Sequence, residues 1–222
     1  MRLDWVKTYT HMDDVYTISF MTRLGEQPLE SILAGLPATF SYTEARAGGL
    51  SDRRLYALRD AGLIEPLGRG LFQRADAVGH ADPDLLEIAH RAPRATLCLT
   101  TALARHGLTD AIPASIDVAL PRGHRHPRTQ APVSWHTFAP DTFDIGRGDL
   151  TLTASMAIGL YDQERCIIDA FRLRHLEGTE TAVEALRRWL RRPSTQPTTL
   201  LAMARAFPKA EPALRSTLEI LL

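Results

Sequence analysis

The sequence predicts an α+β protein in which a small N-terminal unit of short helices and a hairpin precedes a larger mixed α/β region ending in helices. Three observations carry that expectation. From Ser41 to Arg74, capping residues and paired glycines mark two short helices followed by a glycine-punctuated hairpin. Between Ser115 and Tyr161, short strand-forming runs alternate with Pro and Gly turns. Beyond Glu164, apolar residues recur at helical spacing and are punctuated by Pro193, Pro197, Pro208 and Pro212.

Residues 1–25 share neither the periodicity nor the composition of the rest of the chain. Val15 to Met21 has the β-propensity of a short strand, and Met12 and Met21 are alternative start sites. The segment is expected to be an N-terminal extension and receives no function. Leu29, Ile32, Leu33 and Leu36 then fall at i, i+3, i+4 and i+7, one apolar helical face, which Pro37 ends.

Ser41-Tyr42-Thr43-Glu44 fits a capping box, and Gly48-Gly49 stops the helix that it starts. Leu50 is a buried turn residue and Ser51 caps a third helix. On that helix Leu55 and Leu58 mark the core side. At 100° per residue the opposite side carries Arg53, Tyr56 and Asp60, with Arg54 and Arg59 on its flanks. Leu63-Ile64-Glu65 and Leu71 to Arg74 pair around Pro66 to Gly70, which puts Arg69 at a hairpin tip. The order is that of a winged helix-turn-helix, expected over residues 26–78. In it Arg53 and Tyr56 would meet base edges, while Arg54, Arg59 and Arg69 would hold phosphates. The alternative is a unit of the same shape that docks protein.

An α/β domain is expected over 79–222. Asp82 to Arg91 and Ala95 to His106 read as helices, although the β-branched start of the second also suits a strand. Strands are predicted at Ser115–Leu120, Val133–Phe138, Leu150–Ala154 and Ile158–Tyr161, and helices at Glu164–His175, Thr179–Arg192, Gln196–Phe207 and Glu211–Leu222. The loop from Pro121 to Pro132 is basic, and Arg122, Arg125 and Arg128 would add contacts to phosphate or to an acidic partner.

Composition sets the limits. The chain of 222 residues is 45% hydrophobic and 23% charged, which excludes a disordered polymer. Its 26 basic residues, of which only Lys7 and Lys209 are lysine, balance 26 acidic ones, so attraction to nucleic acid must come from local arrangement. Ser41 to Arg74 itself carries six Arg against Glu44, Asp52, Asp60 and Glu65. No apolar run is long enough to span a membrane, no signal peptide pattern opens the chain, and Cys98 and Cys166 lie among apolar neighbours, so a cytoplasmic protein with reduced thiols is expected.

The chemistry-bearing motifs point away from catalysis. There is no Walker loop, G-x-S-x-G elbow, H-E-x-x-H pair or kinase-like glycine loop, so neither an enzyme nor a cofactor is expected. Asp162, Glu164 and Asp169 are explained by helix capping and by pairing of Asp169 with Arg165 or Arg172. His124 and His126 lack the further ligands that a metal site needs, so no metal is expected. The Arg187, Arg188, Arg191 and Arg192 run beside Glu180 and Glu184 reads mainly as a solvated helix face.

The run YTEARAGGLSDRRLYALRDAGLIEPLGRGLF, then IAHRAPRATLCLTTALARHGLTDAIPASIDVALPRG, WHTF and YDQERCIIDAFRLRH, resembles the AbiEi family of bacterial antitoxins and transcriptional regulators. These belong to the type IV toxin-antitoxin group tied to abortive phage infection, and the resemblance extends over residues 28–222. It implies an N-terminal winged helix-turn-helix, an α/β C-terminal antitoxin domain, repression of the protein's own operon through inverted repeats in double-stranded promoter DNA, and antagonism of a cognate nucleotidyltransferase toxin. The family's reading helix falls on Ser51 to Ala61 and its wing on Ile64 to Phe72. A single such unit reads a half-site, which suits two copies per operator. The segment before Glu26 departs from the family's usual start. Two rivals remain: a module that neutralises a toxin without DNA, and an enzyme that modifies nucleic acid or the partner.

Overall fold

The computed structural model describes residues 29–77, 82–193 and 195–222. The expectation for residues 1–25 lies outside these. The described residues form a mixed α+β structure with two sheets. The first is built from α1 (Leu29–Ala34), β1 (Thr39–Ser41), α2 (Tyr42–Ala47), α3 (Asp52–Asp60), β2 (Ile64–Gly68) and β3 (Leu71–Arg74), with antiparallel strand order β1-β3-β2. Ile32, Leu33, Leu36, Phe40, Ala45, Leu50, Leu55, Leu58, Ile64 and Phe72 form its core. A short 3-10 turn, Ala75–Ala77, comes next.

The larger part contains α4 (Pro83–Arg91), β4 (Thr96–Leu97), α5 (Leu99–Arg105), β5 (Ile116–Pro121), β6 (Val133–Phe138), α6 (Pro140–Phe143), β7 (Arg147–Thr153), β8 (Met156–Tyr161), α7 (Gln163–Arg172), α8 (Arg174–Glu177), α9 (Thr179–Leu190), α10 (Pro197–Ala204) and α11 (Glu211–Leu221). Its sheet has order β6-β5-β4-β8-β7, with β5 parallel to β6 and β4 parallel to β8, and the other pairs antiparallel. Side-chain alternation sends successive residues of β5 to opposite faces. Val118 and Leu120 pack with Leu85 and Ile88 of α4, whereas Ala119 joins Ile167, Leu186, Trp189, Leu200 and Leu214 under the helical layer. The sheet is thus covered by α4 on one face and by the C-terminal helices on the other.

Several boundaries differ from the sequence expectation. Ala95 to His106 is not one helix: Thr96–Leu97 is a strand, and the chain turns into α5 through Leu99, whose φ of 45° is left-handed. Strand β1 was not expected; it exists because Phe40 pairs with Phe72 across the sheet. The helix after Glu164 breaks at Leu173 into α7 and α8.

Asp169 pairs with both predicted arginines. Its Oδ2 accepts from Arg165 Nε at 2.9 Å and its Oδ1 from Arg172 Nε at 2.9 Å. Arg165 Nη1 donates to the carbonyls of Thr142 and Ile145, each at 2.7 Å, and its guanidinium lies 4.1 Å from the centroid of the Tyr161 ring. Asp162 caps α7, as its position before Gln163 implies, by accepting from Arg165 N at 2.7 Å. These carboxylates are therefore occupied by structural bonds.

Candidate nucleic-acid interface

The α2–turn–α3 segment is locked by bonds that the sequence encodes locally. Ser41 Oγ accepts from Glu44 N at 3.1 Å, and Glu44 Oε2 accepts from Ser41 N at 2.6 Å, completing the capping box. Gly49 takes φ +89°, which a side chain would resist, and this lets Leu50 plug the core. Ser51 Oγ accepts from Arg54 N at 3.4 Å and starts α3. A link that sequence reading missed ties the two helices: Tyr42 Oη donates to Asp52 Oδ1 at 2.6 Å. That bond, above all, raises the phenol above its ordinary pKa. Arg46 Nη1 donates to Leu50 O at 3.3 Å and lies 3.5 Å from the same Asp52 oxygen.

With Leu55 and Leu58 buried, α3 turns Arg53, Tyr56, Ala57 and Arg59 to solvent, while Arg54 is half-buried on the flank. Tyr56 is 52% exposed, and the Arg59 guanidinium lies 4.9 Å from its ring centroid while pairing with Asp60 at 2.8 Å. Arg59 therefore begins from a satisfied state. Arg53 is exposed and makes no ion pair with a described residue.

The hairpin is tighter than its five-residue composition suggests. Strand β2 runs to Gly68, which pairs with Leu71, so only Arg69-Gly70 forms the turn, with Gly70 at φ +78°. Arg69 is exposed at the tip and has no ion pair among the described residues.

The basic loop joins β5 to β6 at the edge of the large sheet. Arg122, Arg125 and Arg128 are exposed and unpaired among the described residues, and no acidic residue occurs between Asp117 and Asp141. His126 is not set up as a ligand: its Nε2 meets Thr137 Oγ1 at 3.1 Å and its ring stacks on Trp135 at 5.7 Å. Among the described residues, no group of three His, Cys, Asp or Glu side chains is placed to hold a metal. The Arg run of α9 is partly spent internally, with Arg188 bonded to Asp110 and Glu184, and Arg192 to Gln163 and the His106 carbonyl. No described helix is long and apolar enough to cross a membrane.

The N-terminal unit thus sets two short capped helices on a three-stranded sheet, with cationic and aromatic side chains left on the outer helix. Residues 28–75 match the family model described as "Transcriptional regulator, AbiEi antitoxin". The match ends there, whereas the resemblance read from the sequence runs on to residue 222. No curated relative matches the chain. Among solved structures, the crystal structure of RV2827C protein from Mycobacterium tuberculosis is similar in fold, with a TM-score of 0.53 at 17% identity over 87% of this chain and 78% of that one.

Proposed function

We propose that the chain is a sequence-specific DNA-binding repressor and antitoxin whose residues 26–78 act as a winged helix-turn-helix and whose residues 79–222 form the antitoxin domain. The observation that carries the reading is the outer face of α3: Arg53 and Tyr56 stand exposed on a helix whose opposite side is buried, and Arg53 has no ion-pair partner among the described residues. Arg is suited to bidentate contact with guanine, and a helix so presented fits the major groove. In this reading Arg54, Arg59 and Arg69 hold phosphates, and Arg59 exchanges Asp60 for the backbone. The description of the matched family, a transcriptional regulator and antitoxin, supports both halves of the proposal. The family resemblance adds that the operon repressed is the chain's own and that the toxin is of the nucleotidyltransferase class.

Gel shifts of the full chain on its own upstream region, against random duplex, test the DNA half. Selective binding that Arg53→Ala abolishes supports it; equal, weak binding to both duplexes removes it. Co-expression with the product of the adjacent gene tests the antitoxin half: the chain should restore growth, and Arg53→Ala should leave that rescue intact.

A further inference from the structure

Glu87 sits in the middle of α4 with 1% of its surface exposed. Its surroundings explain it. Oε1 accepts from Arg91 Nε at 2.8 Å, and Oε2 accepts from the backbone N–H groups of Gln130 and Ala131 at 2.8 and 3.2 Å. The same carboxylate rests against Gly68 of β2: a Cβ built on Gly68 would lie 2.9 Å from Glu87 Oε1. One side chain thus touches the end of the hairpin strand and the end of the basic loop.

The consequence is positional. Arg69 follows Gly68 directly and Arg128 precedes Gln130 by two residues, so each hangs within about three residue lengths, ~3.8 Å apiece, of that carboxylate. The loop is held elsewhere too, through Arg122 N donating to Phe138 O at 2.8 Å and through His126 stacked on Trp135. Trp135 packs with the α4-side core, so loop, α4 and hairpin share one side of the large sheet. Arg69, Arg122, Arg125 and Arg128 are exposed there without ion-pair partners among the described residues.

We infer that Glu87 is a positioning residue that fixes the hairpin tip and the 122–128 loop as one cationic surface, which follows the phosphates of a single duplex beyond the site read by α3. This rests on the DNA-binding reading above and deepens it. It makes an unusual prediction: removing a negative charge should weaken binding to a polyanion. By charge alone, Glu87→Gln should bind DNA at least as tightly as the parent. By positioning, it should lose the loop's contacts while keeping every arginine.

The test is the salt dependence of affinity for a mixed-sequence duplex of about three helical turns. Four full-length proteins are compared: the parent, Arg122→Ala/Arg125→Ala/Arg128→Ala, Glu87→Gln, and Gly68→Ala, which retains all charges but puts a methyl where the carboxylate now rests. The triple variant should lower the slope of log K against log salt by about 0.9 per lost phosphate contact. Glu87→Gln and Gly68→Ala should move toward that lowered slope, and adding Glu87→Gln to the triple variant should change little further. Thermal melts confirm folding; should one variant not fold, the other carries the test, since they alter opposite partners of one contact. Parental or tighter binding by the folded variants overturns the inference and leaves the DNA-binding reading standing. A triple variant with the parental slope does the same. No salt-dependent binding by the parent overturns both.

Discussion

Tyr42 and Asp52, the first residues of successive helices, meet at 2.6 Å through a phenol that donates to a carboxylate. The bond spans the turn made by Gly48 to Ser51 and fixes how α3 leaves α2. Asp52 also lies in the first turn of α3, where a negative charge favours the helix dipole. Tyr42→Phe keeps the ring and removes the donor, so the fold should persist while the angle between the helices loosens. Specific DNA affinity should fall several-fold, with non-specific affinity little changed; competition gel shifts measure both.

Arg53 and Arg69 should separate base reading from backbone holding. Arg53→Ala should cost about 1 to 3 kcal/mol on the preferred site and relax specificity there. A selection experiment on randomised duplexes would reveal the relaxed position, and unchanged preference would count against Arg53 as a base reader.

For Arg69 the expected signature differs. At the tip of a two-residue turn it is exposed and can reach a phosphate, and among the described residues no ion pair holds it toward a base edge. Arg69→Ala should weaken binding to all duplexes alike and lower the salt slope by about 1. Titrations at several salt concentrations would expose a sequence-dependent effect, which would place Arg69 in the minor groove as a reader instead.

The legible and the hidden features of the chain divide along one physical line. The capping box, the Gly49 turn, buried Leu50 and the two faces of α3 depend on residues within about one helical turn of each other, where sequence pattern is informative. Strand β6 was legible to the residue because its composition and flanking turns agree. Strand β1 was not, since three residues become a strand only by pairing with the distant β3. Glu87 was hidden for the same reason. A glutamate in LLEIAHR reads as a solvated helix position, and only the arrival of Gly68 from one side and Gln130 from the other makes it buried. Tyr42 is an intermediate case: its place after the capping serine was visible, but its partner was not.

Asp169 holds two cations that the core cannot otherwise accommodate. Arg165 and Asp169 are both fully buried, and Arg172 shares the carboxylate. Replacing one member of such a cluster strands the others in a medium of low polarity. Asp169→Asn should therefore destabilise by about 3 to 5 kcal/mol, each kcal/mol lowering the melting temperature by about 2 to 4 °C in a chain of this size. Denaturant midpoints should shift accordingly. A near-neutral result would mean that the Thr142 and Ile145 carbonyls with the aromatic rings are enough to hold Arg165.

Cys98 and Cys166 give stability an alkaline limit. Both are buried and free, and burial pushes both thiols well above their ordinary range, with the carboxylates of Asp117 and Asp169 adding to the effect at Cys98 and Asp169 and Asp162 at Cys166. In the unfolded chain a thiol ionises near pH 8.5. The folded state keeps protons that the unfolded state releases above that value, so stability is full below about pH 8.5 and falls as pH rises. The urea midpoint should begin to drop near about pH 8.5 and go on falling above it, the onset lying below the ordinary phenol range. Cys98→Ala/Cys166→Ala should be less stable at neutral pH, because methyl-sized cavities open in the core, yet should lose that part of the alkaline slope. Thiol-reactive dyes give an independent reading: labelling should wait for opening of the core and so slow in proportion to stability. Immediate labelling of the native protein would mean that these thiols are reachable without unfolding.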